Sequence, residues 1–275
     1  MKAVEYQIKA ISNLHVGSGE INMGVVDNLV QTDAATGFPV INASSLKGAL
    51  REHVSQLKAD DKMICSVFGS KPNDDNVREA GNYRFFDANL LAMPVRGNKR
   101  PFIMGTCPLL IRDYMAKRDL FGHSLDERVK AKWQSVLEKA KESIPTVLDA
   151  SCEGALIEDF EHPAVVLEGH ADVSDLCELL GGPVVLFSDA DFLRLCDEDH
   201  LPVMARNNLT VGHRNLWYEQ VLPRFSRLSF YVLIPDDDSN FRQFNESVTS
   251  SLVQIGANAT VGYGYCELTR PANLK

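Results

Sequence analysis

The first residues of the chain alternate between apolar and polar side chains. Between residues 3 and 12 the apolar positions fall on one side of an extended chain, at Val4, Tyr6, Ile8 and Ala10. This period of two predicts a half-buried β-strand. A glycine-rich loop at residues 16 to 24 follows. Ser44 or Ser45 is then predicted to cap a helix, whose apolar residues lie at helical spacing at Leu46, Ala49, Leu50 and Leu57.

Further strand and helix patterns follow along the rest of the chain. Residues 84 to 91 predict a strand, and residues 125 to 142 predict an amphipathic helix with Val129, Trp133 and Val136 on its apolar side. Near the end, a strand at residues 228 to 234 precedes a helix at 240 to 255 and a closing strand at 260 to 268. The inward side of that helix is predicted at Phe241, Phe244, Val248 and Leu252.

Strand, helix and strand at both ends of the chain predict an α+β fold with a ferredoxin-like, RRM-like core that carries large insertions. The sheet of such a fold often binds RNA. Because no repeat, low-complexity segment or linker interrupts the chain, we expect residues 1–275 to form a single composite domain. Its core is predicted at about 1–60, 82–112 and 225–270, with a helical insertion at about 120–145. Residues 140 to 200 receive no assignment.

Composition limits the classes of function. The chain has 275 residues, of which 45% are hydrophobic and 24% are charged, as in ordinary globular proteins. Its formal net charge of −9 argues against a free-standing, sequence-indifferent nucleic-acid binder, since phosphate attraction needs a basic surface. Any RNA site must therefore be a local basic groove on an acidic body.

Two further patterns concern compartment and cysteine chemistry. No uncharged apolar run is long enough for a membrane span, and the start of the chain lacks a signal-peptide core, so no membrane contact and a cytoplasmic location are expected. The cysteines show neither a CxxC pair nor zinc-finger spacing. They are predicted to be reduced and mostly buried, at Cys65, Cys107, Cys152, Cys177, Cys196 and Cys266.

The richest segment runs from His15 to His53 and reads HVGSGEINMGVVDNLVQTDAATGFPVINASSLKGALREH. It joins a flexible loop, an acid at Asp27 and a helix start with Lys47 and Arg51 on one face. Amides at a helix start together with such cations suit a phosphate. Spacing alone, however, favours an ordinary solvated helix face, and an Asp followed by Asn is ordinary turn chemistry.

A second glycine-rich segment, IGANATVGYGY, spans residues 255 to 265. Its three glycines let the backbone approach another chain closely. The pattern is neither a Walker A motif nor a dinucleotide fingerprint, so a nucleotide cofactor receives little support. A helix C-cap at Gly256 followed by a tight turn explains the segment equally well.

Four collinear stretches resemble one known family. They are GSGEINMGVVDNLVQTDAATGFPVINASSLKGALR, RFFDANLLAMPVRG with TCPLLIR, LPVMARNNLTVGHRNLWYEQVLP, and IGANATVGYGYCEL. Together they resemble the RAMP superfamily of CRISPR proteins, and within it the backbone, or fourth, subunit of type III-B Cmr effector complexes. The resemblance spans most of the chain and is weak between residues 140 and 200.

The resemblance implies roles for particular residues. Asp27 matches the acid needed to cut target RNA. Mg²⁺ or another divalent metal is the implied cofactor, with Asp27 as its candidate ligand. Residues 201 to 223 would form a thumb-like β-hairpin that wedges into the guide–target duplex. The implied RNA contacts are His15, Ser44, Lys47, Arg51, Arg206, His213, Arg214, Gly262 and Gly264. For His15, a single backbone hydrogen bond is the commoner role of a loop histidine.

The implied partners are a crRNA, the target RNA, further copies of the chain, and the other Cmr subunits, including the large polymerase-like subunit and the small subunit. The sequence leaves two alternatives open. One is a structural filament subunit in which Asp27 has no catalytic part. The other is a small-molecule enzyme that binds a nucleotide at the C-terminal glycine loop.

Overall fold

The computed structural model describes residues 1–19, 24–70, 79–169, 172–208 and 215–271. Two predicted RNA contacts, His213 and Arg214, lie outside these residues. In chain order the elements are β1 (Lys2–Ala10), β2 (Val40–Ile41), α1 (Ala43–Gln56), α2 (Asp61–Phe68), β3 (Arg84–Phe85), β4 (Ala88–Val95), β5 (Ile103–Thr106), α3 (Pro108–Leu120), α4 (Glu127–Leu137), β6 (Thr146–Val147), β7 (Val165–Val166), α5 (Ser174–Leu180), β8 (Val184–Leu186), α6 (Asp189–Leu195), β9 (Val203–Asn208), β10 (Asn215–Gln220), β11 (Arg227–Ile234), α7 (Phe241–Thr249), β12 (Val253–Gln254) and β13 (Tyr265–Thr269).

The described residues divide into two compact units. Unit 1 is drawn from Met1–Asn89, Pro202–Arg224 and Leu228–Arg270, whereas unit 2 is drawn mainly from Leu90–Leu201. Unit 1 therefore contains the segments that the sequence singles out at both ends of the chain. That the whole chain forms one composite domain stays a prediction.

The sheet of unit 1 has the ferredoxin-like arrangement. β1 lies between β13 and β11, and β12 flanks β13. β1 runs antiparallel to β13, with Ile8 opposite Leu268. The chain passes from β1 into α1, and later from β11 through α7 into β13, so each half contributes a strand followed by a helix. The predicted α+β class and ferredoxin-like core are confirmed.

Aromatic packing fixes α7 against this sheet. The fully buried ring of Tyr6 stacks on Phe230 at a centroid distance of 5.3 Å and meets Phe244 edge-on at 6.4 Å. Its hydroxyl donates to Asn245 Oδ1 at 3.0 Å, and burial raises the pKa of Tyr6 above its usual range. The aromatic cluster thus satisfies its polar group while it packs the core.

Two helix boundaries differ from the sequence prediction. The last helix ends at Thr249, because Val253 pairs with Cys266 in an edge strand; Leu252 is consequently 46% exposed and does not face inward. The prediction that Ser44 or Ser45 caps the first helix is also wrong. α1 begins at Ala43 without a side-chain cap from its own N-cap residue, and the Ala43 amide donates to Asp87 Oδ1 at 2.6 Å.

Unit 2 contains its own strands and apolar core. The strands follow the order β4-β5-β8-β6-β7, with β5 parallel to β8. The predicted amphipathic helix is α4, somewhat shorter than expected, and its Trp133 is fully buried. The Trp133 indole donates to Asp175 Oδ1 at 3.0 Å. Residues 140 to 200, which the sequence left unassigned, therefore supply α5, α6 and three strands of this unit.

A separate two-stranded sheet, formed by β9 and β10, belongs to unit 1. The strands are antiparallel, with Trp217 opposite Arg206 and Tyr218 opposite Ala205. A hairpin is therefore present within residues 201 to 223. Its action as a thumb between base pairs stays a prediction.

All six cysteines are free, and four of them are buried. Burial raises the pKa of the Cys266 thiol to about 12. Among the described residues, no helix combines the length and apolar character needed to cross a membrane.

Candidate functional site

The backbone of Tyr218 holds Asp27 in place. The amides of Asp27 and Asn28 both donate to the Tyr218 carbonyl, each at 3.1 Å. In return the Tyr218 amide donates to Asp27 Oδ2 at 2.7 Å. The Asp27 side chain is nevertheless exposed. An acid that sequence alone assigns to an ordinary turn is thus fixed on the hairpin and open to solvent.

The residues after Asp27 continue along β10. The Gln220 amide donates to the Asn28 carbonyl at 2.9 Å, and Gln220 Oε1 accepts from the Val30 amide at 3.1 Å. The next residue, Gln31, is buried; its Nε2 donates to Gly17 O and Ser45 Oγ, both at 3.1 Å, and its Oε1 accepts from the Asn42 amide at 2.9 Å. These bonds join residues 27 to 31, here called the Asp27 segment, to the first glycine loop and to the start of α1.

A buried carboxylate lies beside the Tyr218 anchor. Glu219 is 6% exposed. Its Oε1 accepts from the Trp217 indole at 2.8 Å, and its Oε2 accepts from Asn258 Nδ2 at 2.7 Å. Arg206 Nε lies 3.6 Å from Oε2. A buried carboxylate needs such partners to offset its lost hydration.

Arg206, a predicted RNA contact, is engaged within the protein. Besides its ion pair with Glu219, its Nη2 donates to Asn258 Oδ1 at 3.1 Å. Its guanidinium also lies over the Tyr263 ring, 5.3 Å from the centroid. Arg206 therefore ties the hairpin to the C-terminal glycine loop.

His15 is buried between the hairpin and the C-terminal glycine loop. The residue is 4% exposed, and its Nδ1 lies 2.6 Å from the Gln220 carbonyl oxygen. Because a carbonyl oxygen can only accept, Nδ1–H is the donor. The His15 carbonyl accepts from the Ala257 amide at 2.9 Å. This geometry argues against direct contact between the His15 ring and RNA and gives the residue a structural position between hairpin and glycine loop.

The two predicted glycine contacts differ in their surroundings. Both have positive φ, +84° at Gly262 and +77° at Gly264. A Cβ at Gly264 would lie 2.1 Å from the Ile255 carbonyl oxygen, whereas a Cβ at Gly262 would meet nothing within 4 Å. Gly264 is thus required by backbone packing, while Gly262 lies on the exposed part of the loop.

The helix start is only partly available to phosphate. The exposed Ser44 and the half-buried Lys47 lie on the outer side of α1. Arg51 points elsewhere: its Nη2 donates to Gly69 O at 3.0 Å and its Nη1 to Ser70 O at 3.3 Å. Of the two cations predicted to act together, Arg51 is committed to the end of α2.

Family membership follows from comparison with known proteins. A family model described as RAMPs, the RAMP superfamily, matches residues 7–267. The chain belongs to the RAMP superfamily. The match includes the Asp27 segment, α1, the hairpin and the C-terminal glycine loop of this RAMP protein.

One relative and two solved structures are similar along their whole length. The RAMP chain is 28% identical over 293 residues to the CRISPR system Cmr endoribonuclease Cmr4 of Pyrococcus furiosus, covering 98% of this chain and 96% of that protein. A cryo-EM structure of the apo type III-B Cmr-beta complex contains a chain with 24% identity, covering 100% of this chain and 99% of that one, at a TM-score of 0.79. A chain of Cmr-beta bound to cognate target RNA gives 24% identity, 98% and 96% coverage and a TM-score of 0.77. The resemblance to type III-B RAMP proteins is confirmed.

The described residues do not build a metal site of the protein's own. Among them, no group of three or more His, Cys, Asp or Glu side chains is placed to hold a metal ion. Asp27 offers a single carboxylate, of which Oδ2 already accepts from the Tyr218 amide. Mg²⁺ at such a position would depend on water and phosphate oxygens for most of its ligands. The divalent-metal requirement stays a prediction.

Sequence reasoning missed several polar residues of this RAMP site. Gln220 bonds Asn28 and Val30, and the neighbouring Glu219 bonds Asn258. None of Glu219, Gln220 and Asn258 attracts notice as a motif. A signal was present in NLWYEQ, where two long polar residues end a strand. Both Glu219 and Gln220 are buried, and buried polar residues in strands need partners.

Proposed function

We propose that this chain is the crRNA-binding backbone subunit of a type III-B CRISPR effector complex and that it cleaves complementary target RNA in antiviral defence. The observation that carries the proposal is Asp27, whose exposed carboxylate accepts from the Tyr218 amide while its own amide donates to the Tyr218 carbonyl. Whole-length similarity to a Cmr endoribonuclease supports the same activity. The proposal places the chain in the cytoplasm.

The chemistry proposed for Asp27 is general-base activation of a ribose. The carboxylate takes the proton of the 2′-OH, the 2′-oxygen attacks the adjacent phosphorus, and the 5′-oxygen leaves with a proton from water. The products are a 2′,3′-cyclic phosphate and a 5′-hydroxyl. This route needs the 2′-OH and a correctly placed acceptor, and the Tyr218 anchor supplies a fixed position for that acceptor.

RNA binding is proposed along the outer side of α1 and the C-terminal loop. Lys47 brings a positive charge to the helix start, and the exposed backbone near Gly262 allows close approach of a phosphate chain. The hairpin would separate successive guide–target base pairs. The proposed partners are the crRNA, the target RNA, further copies of the chain and the other Cmr subunits, including the large polymerase-like and the small subunit.

A second function is favoured by the same bond that supports the first. Because Asp27 Oδ2 accepts from the Tyr218 amide, Asp27 also suits a purely structural role in a filament subunit that binds RNA without cutting it. The two functions differ in whether the negative charge of Asp27 is needed or only its hydrogen-bond acceptor.

The test uses the assembled complex with its copurified crRNA, incubated with end-labelled RNA and Mg²⁺. We expect the wild type to cut complementary RNA and to spare non-complementary RNA. Asp27→Asn keeps an acceptor for the Tyr218 amide but removes the charge, and it should abolish cutting while target binding stays within about twofold of wild type. Cutting by Asp27→Asn at the wild-type rate would leave the structural function as the better account.

A further inference from the structure

Asn258 joins the C-terminal glycine loop to the hairpin through both ends of its side-chain amide. Its Nδ2 donates to Glu219 Oε2 at 2.7 Å, and its Oδ1 accepts from Arg206 Nη2 at 3.1 Å. Glu219 is buried at 6% exposure, so the bond to its carboxylate is partly shielded from water. The amide therefore lies between an acid of β10 and a cation of β9.

The backbone conformation of Asn258 restricts which residue this position accepts. Its φ of +65° lies in the left-handed region, which Asn and Gly adopt at lower cost than most other residues. Among these residues, only Asn brings one donor and one acceptor on a short side chain. The position thus combines a local requirement for left-handed backbone with a need for both hydrogen-bonding groups.

The bond between Asn258 and Glu219 is connected to Asp27 through the strand that carries Glu219. Glu219 lies between Tyr218 and Gln220, and these two residues make the backbone bonds to Asp27 and Asn28. Asn28 and Glu219 also form a parallel bridge. Any displacement of Glu219 consequently moves both anchors of the Asp27 segment.

We propose that Asn258 is a positioning residue for RNA cleavage, which acts through Glu219 to fix Asp27 on the hairpin. The inference rests on the proposed function and adds to it a coupling between two RNA-facing parts of the chain. The loop that carries Asn258 continues into the exposed turn at Ala259–Val261. RNA bound against this loop would therefore stabilise the arrangement that places the Asp27 carboxylate.

Two variants separate the side-chain role from the backbone. Asn258→Gly keeps the left-handed backbone and removes both hydrogen bonds. Asn258→Asp keeps the shape and the acceptor for Arg206 but turns a carboxylate oxygen toward Glu219. The matched control is Asn82→Asp, which makes the same charge change at an exposed residue bonded to Ser66 Oγ. Thermal unfolding of each variant identifies any general loss of folding.

The first measurement is cleavage by the assembled complex over a range of pH, always relative to wild type. We expect Asn258→Asp to cut at least about tenfold more slowly at pH about 8, because a partly buried charge-assisted bond becomes a repulsion. The charged groups that contact the Asn258 side chain are Glu219 and Arg206, and the titratable Tyr263 ring lies against Arg206. As pH falls, protonation of the introduced carboxyl group restores a donor to Glu219, so the relative rate should recover. Asn258→Gly should be slow at every pH.

The second measurement does not require activity. Hydrogen exchange in the isolated chain should become faster at the amides of Asp27, Asn28 and Gln220 in both Asn258 variants, and it should be unchanged in Asn82→Asp. Slower cutting with faster exchange supports the inference. Wild-type cutting and wild-type exchange in Asn258→Gly would overturn it. If the wild-type complex fails to cut, the proposed activity fails, and the exchange result still decides whether Asn258 fixes the Asp27 segment.

Discussion

Tyr218 and Asp27 exchange hydrogen bonds in both directions. The Tyr218 carbonyl accepts from the Asp27 amide at 3.1 Å, while the Tyr218 amide donates to Asp27 Oδ2 at 2.7 Å. The acid is therefore attached to the hairpin by its backbone and by its side chain. This relationship allows the anchoring and the charge of Asp27 to be tested separately.

Asp27→Ala and Asp27→Asn should differ in hairpin stability although both lose activity. Asn retains an acceptor for the Tyr218 amide, whereas Ala leaves that amide to water. We expect the exchange of the Tyr218 amide to accelerate several-fold more in Asp27→Ala, which corresponds to about 1 kcal/mol for an exposed bond. Hydrogen exchange resolved at residues 215 to 220 provides the measurement. Equal exchange in the two variants would mean that the side-chain bond does not hold the strand.

Lys47→Ala and Arg51→Ala should have different consequences, because only Arg51 bonds the carbonyls of Gly69 and Ser70. Lys47→Ala is expected to weaken RNA retention for every guide sequence and to lower the salt slope of binding by about 0.7–0.9. Arg51→Ala should mainly lower the unfolding temperature. Salt titrations of RNA release and thermal melts of both variants check this division. If Arg51→Ala shows a normal unfolding temperature and a reduced salt slope, Arg51 contacts RNA after all.

Much of unit 1 follows from sequence periodicity. The alternation at Tyr6 and Ile8 predicted β1, and the helical spacing of Leu46 and Leu50 predicted α1, because both patterns record which side is buried. Helix ends were less predictable. Residue 252 fits the helical spacing, but the helix ends at Thr249 because Val253 pairs with Cys266 in a strand. Such long-range competition leaves no local signal.

The site shows the same limit. The family resemblance located Asp27 and the hairpin, but no local pattern reveals that Arg206 meets Glu219 and Asn258, residues far apart in the chain. The burial of His15 was not predictable for the same reason, since the residue is covered by elements that the tertiary fold brings together. Residues 140 to 200 showed only a weak resemblance, and their strands are too short to predict.

Gly264→Ala and Gly262→Ala form a matched pair for the C-terminal loop. Both place a side chain at positive φ, which costs roughly 1–2 kcal/mol. Only Gly264→Ala also brings a Cβ to 2.1 Å from the Ile255 oxygen. We therefore expect Gly264→Ala to lower the free energy of unfolding clearly more than Gly262→Ala does. Denaturant titrations test the difference. Equal losses would show that the loop relaxes without resistance from Ile255.

The cysteines should differ in reactivity toward a thiol reagent at pH about 8. Cys266 is buried, and its pKa of about 12 keeps the thiol protonated, with about one molecule in ten thousand as thiolate. Cys65 is only partly buried and should react first. Cys177 should react later, because burial raises its pKa as well. A raised pKa slows the reaction because it lowers the fraction of the thiol that is present as the reactive thiolate. All six should react in denaturant, and rapid native labelling of Cys266 would contradict its burial.

We propose that successive copies of this chain each bring one Asp27 to RNA paired with the same guide. The most direct measurement is a denaturing gel of end-labelled target RNA cut by the assembled complex, with single deoxyribose substitutions in the target. We predict a ladder of constant spacing. A deoxyribose immediately 5′ of one scissile phosphate should remove that band alone, because the 2′-OH is the nucleophile, and Asp27→Asn should remove every band. An irregular ladder, a deoxyribose without local effect, or a full ladder from Asp27→Asn would contradict the account.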